Sequence, residues 1–285
     1  MKDVSNAMRA QILTAAVPYI KQYTDQYVVV KYGGNAMTDE ELKKSVMKDL
    51  LLLQLVGVKV VLVHGGGPAI NHTLEAMQIE SHFANGLRVT DEATMDVVQM
   101  VLAGKVNKDL VADLTDLGGK AIGLCGVDGN MIQVHKQNEE LGYVGSVDTI
   151  DTSIIHDVIS RGYIPVISSI GMGADGKTYN INADTVAAKI AGALKAETMV
   201  AMTNIDGVLK DVHDPESLIS KITVAEAEQL KADGIIAGGM IPKVDCCLEA
   251  IEAGAQKVFI INGEIPHAIL IELLTDEGLG TMFVA

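Results

Sequence analysis

Two apolar segments that each end in a cluster of glycines constrain this sequence more than any other feature. The first covers residues 28–34 and reads VVVKYGG, and the second covers residues 60–68 and reads VVLVHGGGP. Apolar runs of this length are typical of buried strands, and the second run leads through Pro68 into a segment with helical periodicity. Glycines let backbone N–H groups close around an anion, and a helix N-terminus adds partial positive charge. The pattern therefore predicts a phosphate site, with Lys31 facing it.

The composition narrows the class of protein and its partners. The chain has 285 residues with a hydrophobic content of 48%, which is enough for one large domain or two lobes with their own cores. Its formal net charge of −15 argues against nucleic-acid binding, because no basic stripe offsets the acidic background. The three cysteines form no C-x-x-C pair, so we expect no resident metal site and a reducing, cytoplasmic setting. No segment has the length and apolarity of a membrane span, so we expect no membrane partner.

Strand-like and helix-like segments alternate along almost the whole chain. This alternation predicts a three-layer α/β/α sandwich with a largely parallel central sheet, and its ligands belong at the carboxyl ends of the strands. A capping box at Thr38 and Glu41 should open the helix that precedes the second glycine loop. Strands are predicted over residues 59–63, 121–125, 163–170, 198–203 and 257–261, a hairpin over 131–134 and 143–147, and helices over 69–77, 91–117, 154–160, 184–194, 224–231, 243–253 and 268–274.

Residues 171–178 read GMGADGKT and fit the nucleotide-binding pattern G-x-x-x-x-G-K-[ST]. Taken alone, this match predicts a P-loop nucleotidase that uses Lys177. A P-loop continues from its Lys-Thr directly into a helix, whereas helical periodicity starts here only near Asp184. In addition, Asp175 would place a carboxylate against the phosphates. We therefore favour an Asp-Gly turn in a surface hairpin.

Five short motifs occur in order at residues 31–34 (KYGG), 64–68 (HGGGP), 85–91 (NGLRVTD), 179–184 (YNINAD) and 238–243 (GGMIPK). Together they resemble the amino acid kinase family, and within it the members that phosphorylate N-acetyl-L-glutamate, over essentially the whole chain. The resemblance implies the family's fold and ATP-dependent phosphorylation of the side-chain carboxylate to an acyl phosphate, a step of arginine biosynthesis. A kinase of a related acceptor such as N-acetyl-aminoadipate, and an inactive amino-acid sensor on the same fold, are the alternatives.

The resemblance also implies roles for the residues that phosphoryl transfer needs. Lys31 and Lys243 match the family's transition-state cations, since such transfer depends mainly on positioning and charge neutralisation. Asp184 should hold the two lysines and does not serve as a base, because a carboxylate acceptor has no proton to remove. Arg88 suits a bidentate grip on the α-carboxylate of the acceptor. Asn180 can donate and accept, which matches an N-acetylated amino acid.

Backbone N–H groups of the glycine loops complete the expected site. Gly66 and Gly67 are assigned to the acceptor, and Gly33 and Gly34 to ATP. Mg²⁺ should arrive with ATP and be held mostly by phosphate oxygens. Asn204 departs from the family pattern, which has Asp at that position, so hydrogen bonding is kept and a charge is lost. The other ATP-binding positions that the resemblance implies are Thr203, Asp206, Gly207, Val208, Leu209 and Met240.

Each of these side chains also has a plainer interpretation. Lys31 could be the solvated end of a strand, and Arg88 a surface ion-pair partner of the acidic residues that follow it. Asn180 and Asp184 could simply cap the next helix. His64 is expected to orient the glycine loop rather than to transfer protons.

Residues 1–25 are predicted to form an oligomerisation helix ahead of an acceptor lobe (26–195) and an ATP lobe (196–285), with transfer between the lobes. The apolar positions Val4, Met8, Ile12, Ala16 and Ile20 are near-helically spaced and need a partner, and the proline at position 18 should bend the helix. That partner is either another subunit or the chain's own core.

Residues 16–21 resemble those of arginine-inhibited family members, in which such helices interlace dimers into a hexamer. The resemblance implies L-arginine as an inhibitor that binds at Tyr19, His267, Glu272 and the turn of residues 278–280, including Gly280. A PII-type signalling protein is a further implied partner.

Overall fold

The computed structural model describes residues 5–84 and 86–285, so the predictions for Val4 and for Asn85 lie outside the described residues. The strands are β1 Tyr27–Tyr32, β2 Lys59–His64, β3 Phe83–Ala84, β4 Leu87–Arg88, β5 Ala121–Cys125, β6 Ile132–Lys136, β7 Gly145–Ile150, β8 Ile164–Ser168, β9 Ile170–Gly173, β10 Thr178–Asn180, β11 Thr198–Thr203, β12 Lys221–Thr223, β13 Lys257–Asn262 and β14 Thr281–Val284. The α-helices are α1 Asn6–Ala15, α2 Val17–Tyr23, α3 Glu40–Leu55, α4 Gly67–Ala76, α5 Glu92–Gln99, α6 Asn107–Asp116, α7 Ser153–Ser160, α8 Ala183–Ala193, α9 Val224–Ala232, α10 Ile241–Glu252 and α11 Ala268–Leu274.

An eight-stranded sheet in the order β12-β14-β13-β11-β1-β2-β8-β5 forms the centre of the molecule. Its pairs are parallel except β13 with β14. Successive residues of β1 face opposite sides, so Val28 and Val30 join one apolar core and Val29 joins the other. A strand buried on both faces explains the continuous apolar runs in the sequence. The predicted α/β/α sandwich with a largely parallel sheet is confirmed.

The match to the P-loop pattern lies in a β-hairpin on a second, four-stranded sheet. Strands β9 and β10 pair antiparallel, and Gly176 takes a left-handed φ of +78° in the turn between them. Lys177 is exposed and donates to the hydroxyl of Tyr143 at 2.8 Å. The hairpin prediction is confirmed, and the geometry of a P-loop is absent at this position.

Several local predictions need correction. The helix α3 is capped by Asp39, whose carboxylate accepts from the backbone N–H groups of Glu41 and Leu42, so the cap lies one residue later than predicted. The capping box that the structure does contain is formed by Thr223 and Glu226 at the start of α9. The edge strand β12 and its neighbour β14 were not predicted, because β12 has only three residues and β14 follows a glycine-rich turn.

The N-terminal segment divides at Ala16 into two helices, and Pro18 lies in the first turn of the second. Helix α1 has no buried residue, and Met8 and Ile12 are 50% and 60% exposed. Helix α2 packs against the protein's own core, chiefly through the buried Tyr23. The predicted single helix is thus interrupted two residues before its proline, and the two helices have different environments.

The central sheet is continuous across residues 195 and 196, because β1 pairs with β11. The proposed division into an acceptor lobe and an ATP lobe therefore lies within one sheet and stays a prediction. Over residues 5–84 and 86–285, no helix combines the length and the apolarity needed to cross a membrane.

Candidate functional site

An ion pair lies at the carboxyl end of the central sheet, where both glycine loops meet. The Nζ atom of Lys31, on β1, is 2.9 Å from Oδ1 of Asp184, in the first turn of α8. Lys31 is only 8% exposed, so it is not a solvated strand end. Helix α8 is capped by Asn182, which accepts from the backbone N–H of Asp184 at 2.7 Å. The interpretation of Asn180 and Asp184 as the capping residues is therefore wrong.

Asp184 also lines a cleft of about 590 Å³, together with Lys243. Lys243 stands in the first turn of α10, and α10 packs against α8. Among the residues that the structure describes, Asp184 forms an ion pair with Lys31 and none with Lys243. The structure therefore shows one of the two lysine contacts that we expected of Asp184.

A smaller cavity of about 210 Å³ adjoins this cleft and is lined by Arg88. Arg88 is 7% exposed, and it donates to Oγ of Ser81 and, at 2.6 Å, to Oδ1 of Asn71. Its guanidinium also lies 4.7 Å from the ring centre of Phe83. These partners are neutral, so Arg88 is a buried cation, and the interpretation as a surface ion pair is wrong. Burial lowers the pKa of Arg88.

Asn180 lines the same cavity and is linked to Arg88 through Thr90. Nδ2 of Asn180 donates to Oγ1 of Thr90 at 3.3 Å, and that hydroxyl donates to the backbone carbonyl of Arg88 at 2.8 Å. The smaller cavity and the larger cleft share the wall formed by Leu87 and Ile181. A ligand bound to Arg88 can therefore face a second ligand in the cleft.

In each of the two loops, one glycine stands where a side chain would collide. A Cβ atom on Gly33 would lie 2.8 Å from Nζ of Lys31, and one on Gly66 would lie 2.6 Å from a methyl carbon of Leu102. Gly34 has a left-handed φ of +73°. Gly67 begins α4, so its backbone N–H belongs to a helix N-terminus at the smaller cavity. The loops can thus present N–H groups to an anion, as expected.

The segment after β11 forms a turn that other strands hold in place. Oγ1 of Thr203 accepts from the backbone N–H of Ile205 at 3.0 Å, and Asp206 accepts from Asn262 at 2.7 Å. Oγ1 of Thr281, on β14, accepts from the backbone N–H of Val208 at 2.8 Å. Gly207 has a φ of +144°, and a Cβ atom at this position would lie 2.6 Å from the hydroxyl oxygen of Thr281. The other proposed nucleotide positions are the exposed Asn204, the buried Gly207, and the half-buried Leu209 and Met240.

The proposed effector positions lie apart from both cavities, where α2, α3 and α11 meet. His267 has a left-handed φ of +62°, and its Nδ1 is 2.6 Å from Oδ1 of Asp49. Burial raises the pKa of Asp49 to about 6. Oε2 of Glu272 accepts from the backbone N–H groups of Leu279 and Gly280, at 2.7 and 3.1 Å, while burial raises the pKa of Glu272. Tyr19 packs against the nearby core.

Sequence reasoning missed three polar residues that support the site. Ser81 and Asn71 hold Arg88, and Asn107 contacts His64 below the second glycine loop. Asn107 had a signal in the sequence, because it is a polar residue on the apolar side of a helical segment. The sequence gives no such signal for Ser81 and Asn71, since exposed loops and helix surfaces carry many serines and asparagines.

Comparison with known proteins shows which family this chain belongs to. The family model described as "Amino acid kinase family" matches residues 26–262. Acetylglutamate kinase of Brachyspira hyodysenteriae is 53% identical over 285 residues, covering 99% of both chains. Acetylglutamate kinase of Heliobacterium modesticaldum is 49% identical, covering 96% of this chain and 97% of its own.

A solved structure of N-acetylglutamate synthase from Neisseria gonorrhoeae, complexed with coenzyme A and N-acetyl-glutamate, superposes with a TM-score of 0.84 at 27% identity. The match covers 97% of this chain and 63% of that longer chain.

Proposed function

This chain belongs to the amino acid kinase family, and we propose that it transfers the γ-phosphoryl group of ATP to the side-chain carboxylate of N-acetyl-L-glutamate. The observation that carries the proposal is the Lys31–Asp184 ion pair beside two adjoining cavities. The smaller cavity holds a buried cation, Arg88, and the larger one is lined by a second lysine, Lys243. The names of the similar proteins support the same acceptor.

Arg88 selects the acceptor through charge and geometry. A guanidinium has five N–H donors, and the contacts to Ser81 and Asn71 use two of them, so donors remain for the α-carboxylate of the acceptor. The described residues around this cavity include no carboxylate. A free α-ammonium would therefore be buried beside Arg88 without a counter-charge, whereas an N-acetyl amide can hydrogen-bond to Asn180. This arrangement favours an N-acetylated amino acid over the free one.

The transfer itself needs no base in this proposal. An oxygen of the side-chain carboxylate forms a bond to the γ-phosphorus, the bond from that phosphorus to the bridging oxygen breaks, and ADP leaves with the electron pair. Lys31 and Lys243 stabilise the negative charge that spreads over the transferring group. Asp184 fixes the ammonium of Lys31 so that it is positioned before the reaction. The N–H groups of the glycine loops orient the oxygens on either side.

Mg²⁺ fits this site as an ion that arrives with ATP. Over the described part of the chain, no three His, Cys, Asp or Glu side chains are grouped to hold a metal by themselves. The phosphate oxygens of ATP would then supply most ligands, and the ion would neutralise phosphate charge.

We extend the proposal to regulation and assembly. The exposed apolar side chains of α1 would dock on another subunit of a hexamer in the cytoplasm. L-Arginine would inhibit by binding at Tyr19, His267, Glu272 and Gly280, provided that it prefers a conformation in which the reacting groups are apart. A PII-type signalling protein would be a further partner.

An acceptor panel tests the proposed activity. The purified protein, ATP and Mg²⁺ are incubated with N-acetylglutamate, glutamate or N-acetyl-aminoadipate, and hydroxylamine traps any acyl phosphate. We expect kcat/KM to be highest for N-acetylglutamate and trapped product to match the ADP released. A higher kcat/KM for N-acetyl-aminoadipate would replace this acceptor with the longer one. ADP release without an acceptor or trapped product would contradict the proposal.

A further inference from the structure

A buried polar cluster lies directly beneath the second glycine loop. His64, the last residue of β2, and Asn107, the first residue of α6, are 0% and 1% exposed. Nδ2 of Asn107 lies 3.0 Å from Nε2 of His64 and 2.8 Å from the carbonyl of Val166. Oδ1 of Asn107 accepts from Nζ of Lys108 at 3.0 Å. This set of partners fixes which end of the Asn107 amide faces His64.

The contacts also fix the proton on the His64 ring. The Nδ2 group of Asn107 can only donate, so Nε2 of His64 must accept and Nδ1 must carry the hydrogen. That Nδ1–H donates to the carbonyl of Gly65 at 2.8 Å. Burial lowers the pKa of His64 to about 4, so the ring is neutral near neutral pH. His64 therefore links Asn107 to the first residue of the glycine loop.

A π-helical turn, Met100–Val106, explains how one helix reaches this loop. The backbone N–H of Asn107 donates to the carbonyl of Leu102, five residues earlier. This wider turn places the side chains of Leu102 and Asn107 one above the other on the face toward the sheet. Leu102 packs under Gly66, where a Cβ atom would lie 2.6 Å from its methyl carbon, while Asn107 meets His64. Such π turns are often found at functional sites.

We propose that Asn107 is a positioning residue for phosphoryl transfer, because it holds His64 in the one tautomer that binds the Gly65 carbonyl and so aims the N–H groups of Gly66 and Gly67 at the acceptor cavity. The inference rests on the proposed function and deepens it. Asn107 does not itself line either cavity. It acts through His64, so its effect should appear in acceptor binding and turnover and be weak for ATP.

The first test uses the unaltered protein. Histidine labelled with ¹⁵N reports the protonation of each ring nitrogen by NMR, and His64 is assigned by comparison with His64→Asn. We expect a hydrogen on Nδ1 and a bare, hydrogen-bonded Nε2 that do not change between about pH 5.5 and 8. A hydrogen on Nε2, or a titration within that range, would overturn the inference without any question of misfolding.

The second test is a double-mutant cycle with Asn107→Leu, His64→Asn and the double variant. Loss of one hydrogen bond with an unpaired buried partner corresponds to about tenfold. Asn107→Leu should therefore raise KM for N-acetylglutamate about tenfold and lower kcat, with KM for ATP within about twofold. In the His64→Asn background the same change should have less than about a threefold effect. Equal effects in both backgrounds would contradict an action through His64.

Leu114→Ala serves as the matched control. Leu114 is a fully buried residue of the same helix, and its truncation lowers stability without touching the polar cluster. We expect it to leave both KM values unchanged below its melting temperature. A wild-type protein that does not phosphorylate N-acetylglutamate overturns the proposed function and this inference with it. An active wild type with an unaffected Asn107→Leu variant overturns this inference alone.

Discussion

Replacing Arg88 with lysine separates charge from geometry in the acceptor cavity. The variant keeps one positive charge at a position that is 7% exposed, but it has three donors on one atom where arginine has five in a planar fork. Ser81 and Asn71 already engage two donors of Arg88. A lysine ammonium that donates to both Ser81 and Asn71 has one donor left for a carboxylate, whereas the guanidinium can still offer two.

The expected magnitude follows from that difference. One charge-assisted hydrogen bond contributes about 1.5–3 kcal/mol, which corresponds to roughly 10- to 100-fold in affinity. Arg88→Lys should therefore raise KM for N-acetylglutamate by that factor. KM for ATP should stay within about twofold, because Arg88 lines the smaller cavity and is absent from the wall of the larger cleft.

Steady-state kinetics with each substrate varied in turn measure the two KM values. Arg161→Lys is the matched control, since Arg161 is exposed at the end of α7, and its kinetics should match those of the wild type. Calorimetric titration of N-acetylglutamate onto Arg88→Lys should show a rise in Kd by the same factor. A selective rise in KM for ATP, with acceptor binding intact, would refute the placement of Arg88 in the acceptor cavity.

Three further predictions follow from the site and the N-terminal helices. Lys31→Ala and Lys243→Ala should each lower kcat about a hundredfold or more, because each removes a positioned charge. Lys177→Ala should have kinetics like the wild type. A loss of activity confined to the Lys177 variant would refute the assignment of Lys31 and Lys243 as the catalytic cations. Because the pKa of His64 falls to about 4 in the folded state from 6.5, only the unfolded chain binds this proton between those values. Acidification from pH 6.5 toward 4 should therefore lower the free energy of unfolding of the wild type by up to about 3 kcal/mol more than that of His64→Asn, as measured by urea denaturation. Free energies of unfolding that fall in parallel with pH in the two proteins would contradict a buried, neutral His64 ring. Deletion of residues 1–15 should abolish the proposed hexamer and the proposed inhibition by arginine but spare catalysis, since α1 has no buried residue while α2 packs on the core. Light scattering that shows the same number of subunits for both proteins would contradict this role of α1.

Most of the central fold could be predicted because its strands are buried on both faces. Continuous apolar runs identify β1 and β2 without reference to any partner. The edge strand β12 and its neighbour β14 were missed for the opposite reason, since a three-residue strand and a strand after a glycine-rich turn acquire their conformation from the strands they pair with. β14 matters for the site, because its Thr281 holds the turn at Val208.

Some of the site residues could likewise be predicted from the sequence, and others could not. Lys31 and Gly66 are local features of a strand and a loop, so their sequence pattern predicts their placement. The ion pair of Lys31 with Asp184 joins residues far apart in the sequence, and only the resemblance to a family could indicate it. The contact of Asn107 with His64 depends on a π-helical turn, and no periodicity rule predicts where such a turn occurs.

The position of the transferred phosphoryl group tests the central claim most directly. N-acetylglutamate labelled with ¹³C either at its side-chain carboxylate or at its α-carboxylate is incubated with the protein, ATP and Mg²⁺, and ³¹P NMR follows the product. With the α-carboxylate held by Arg88 and the side chain directed toward Lys31, we predict ¹³C–³¹P coupling with the side-chain label only. Coupling with the α-carboxylate label, or ADP release with no coupled species, would contradict the account.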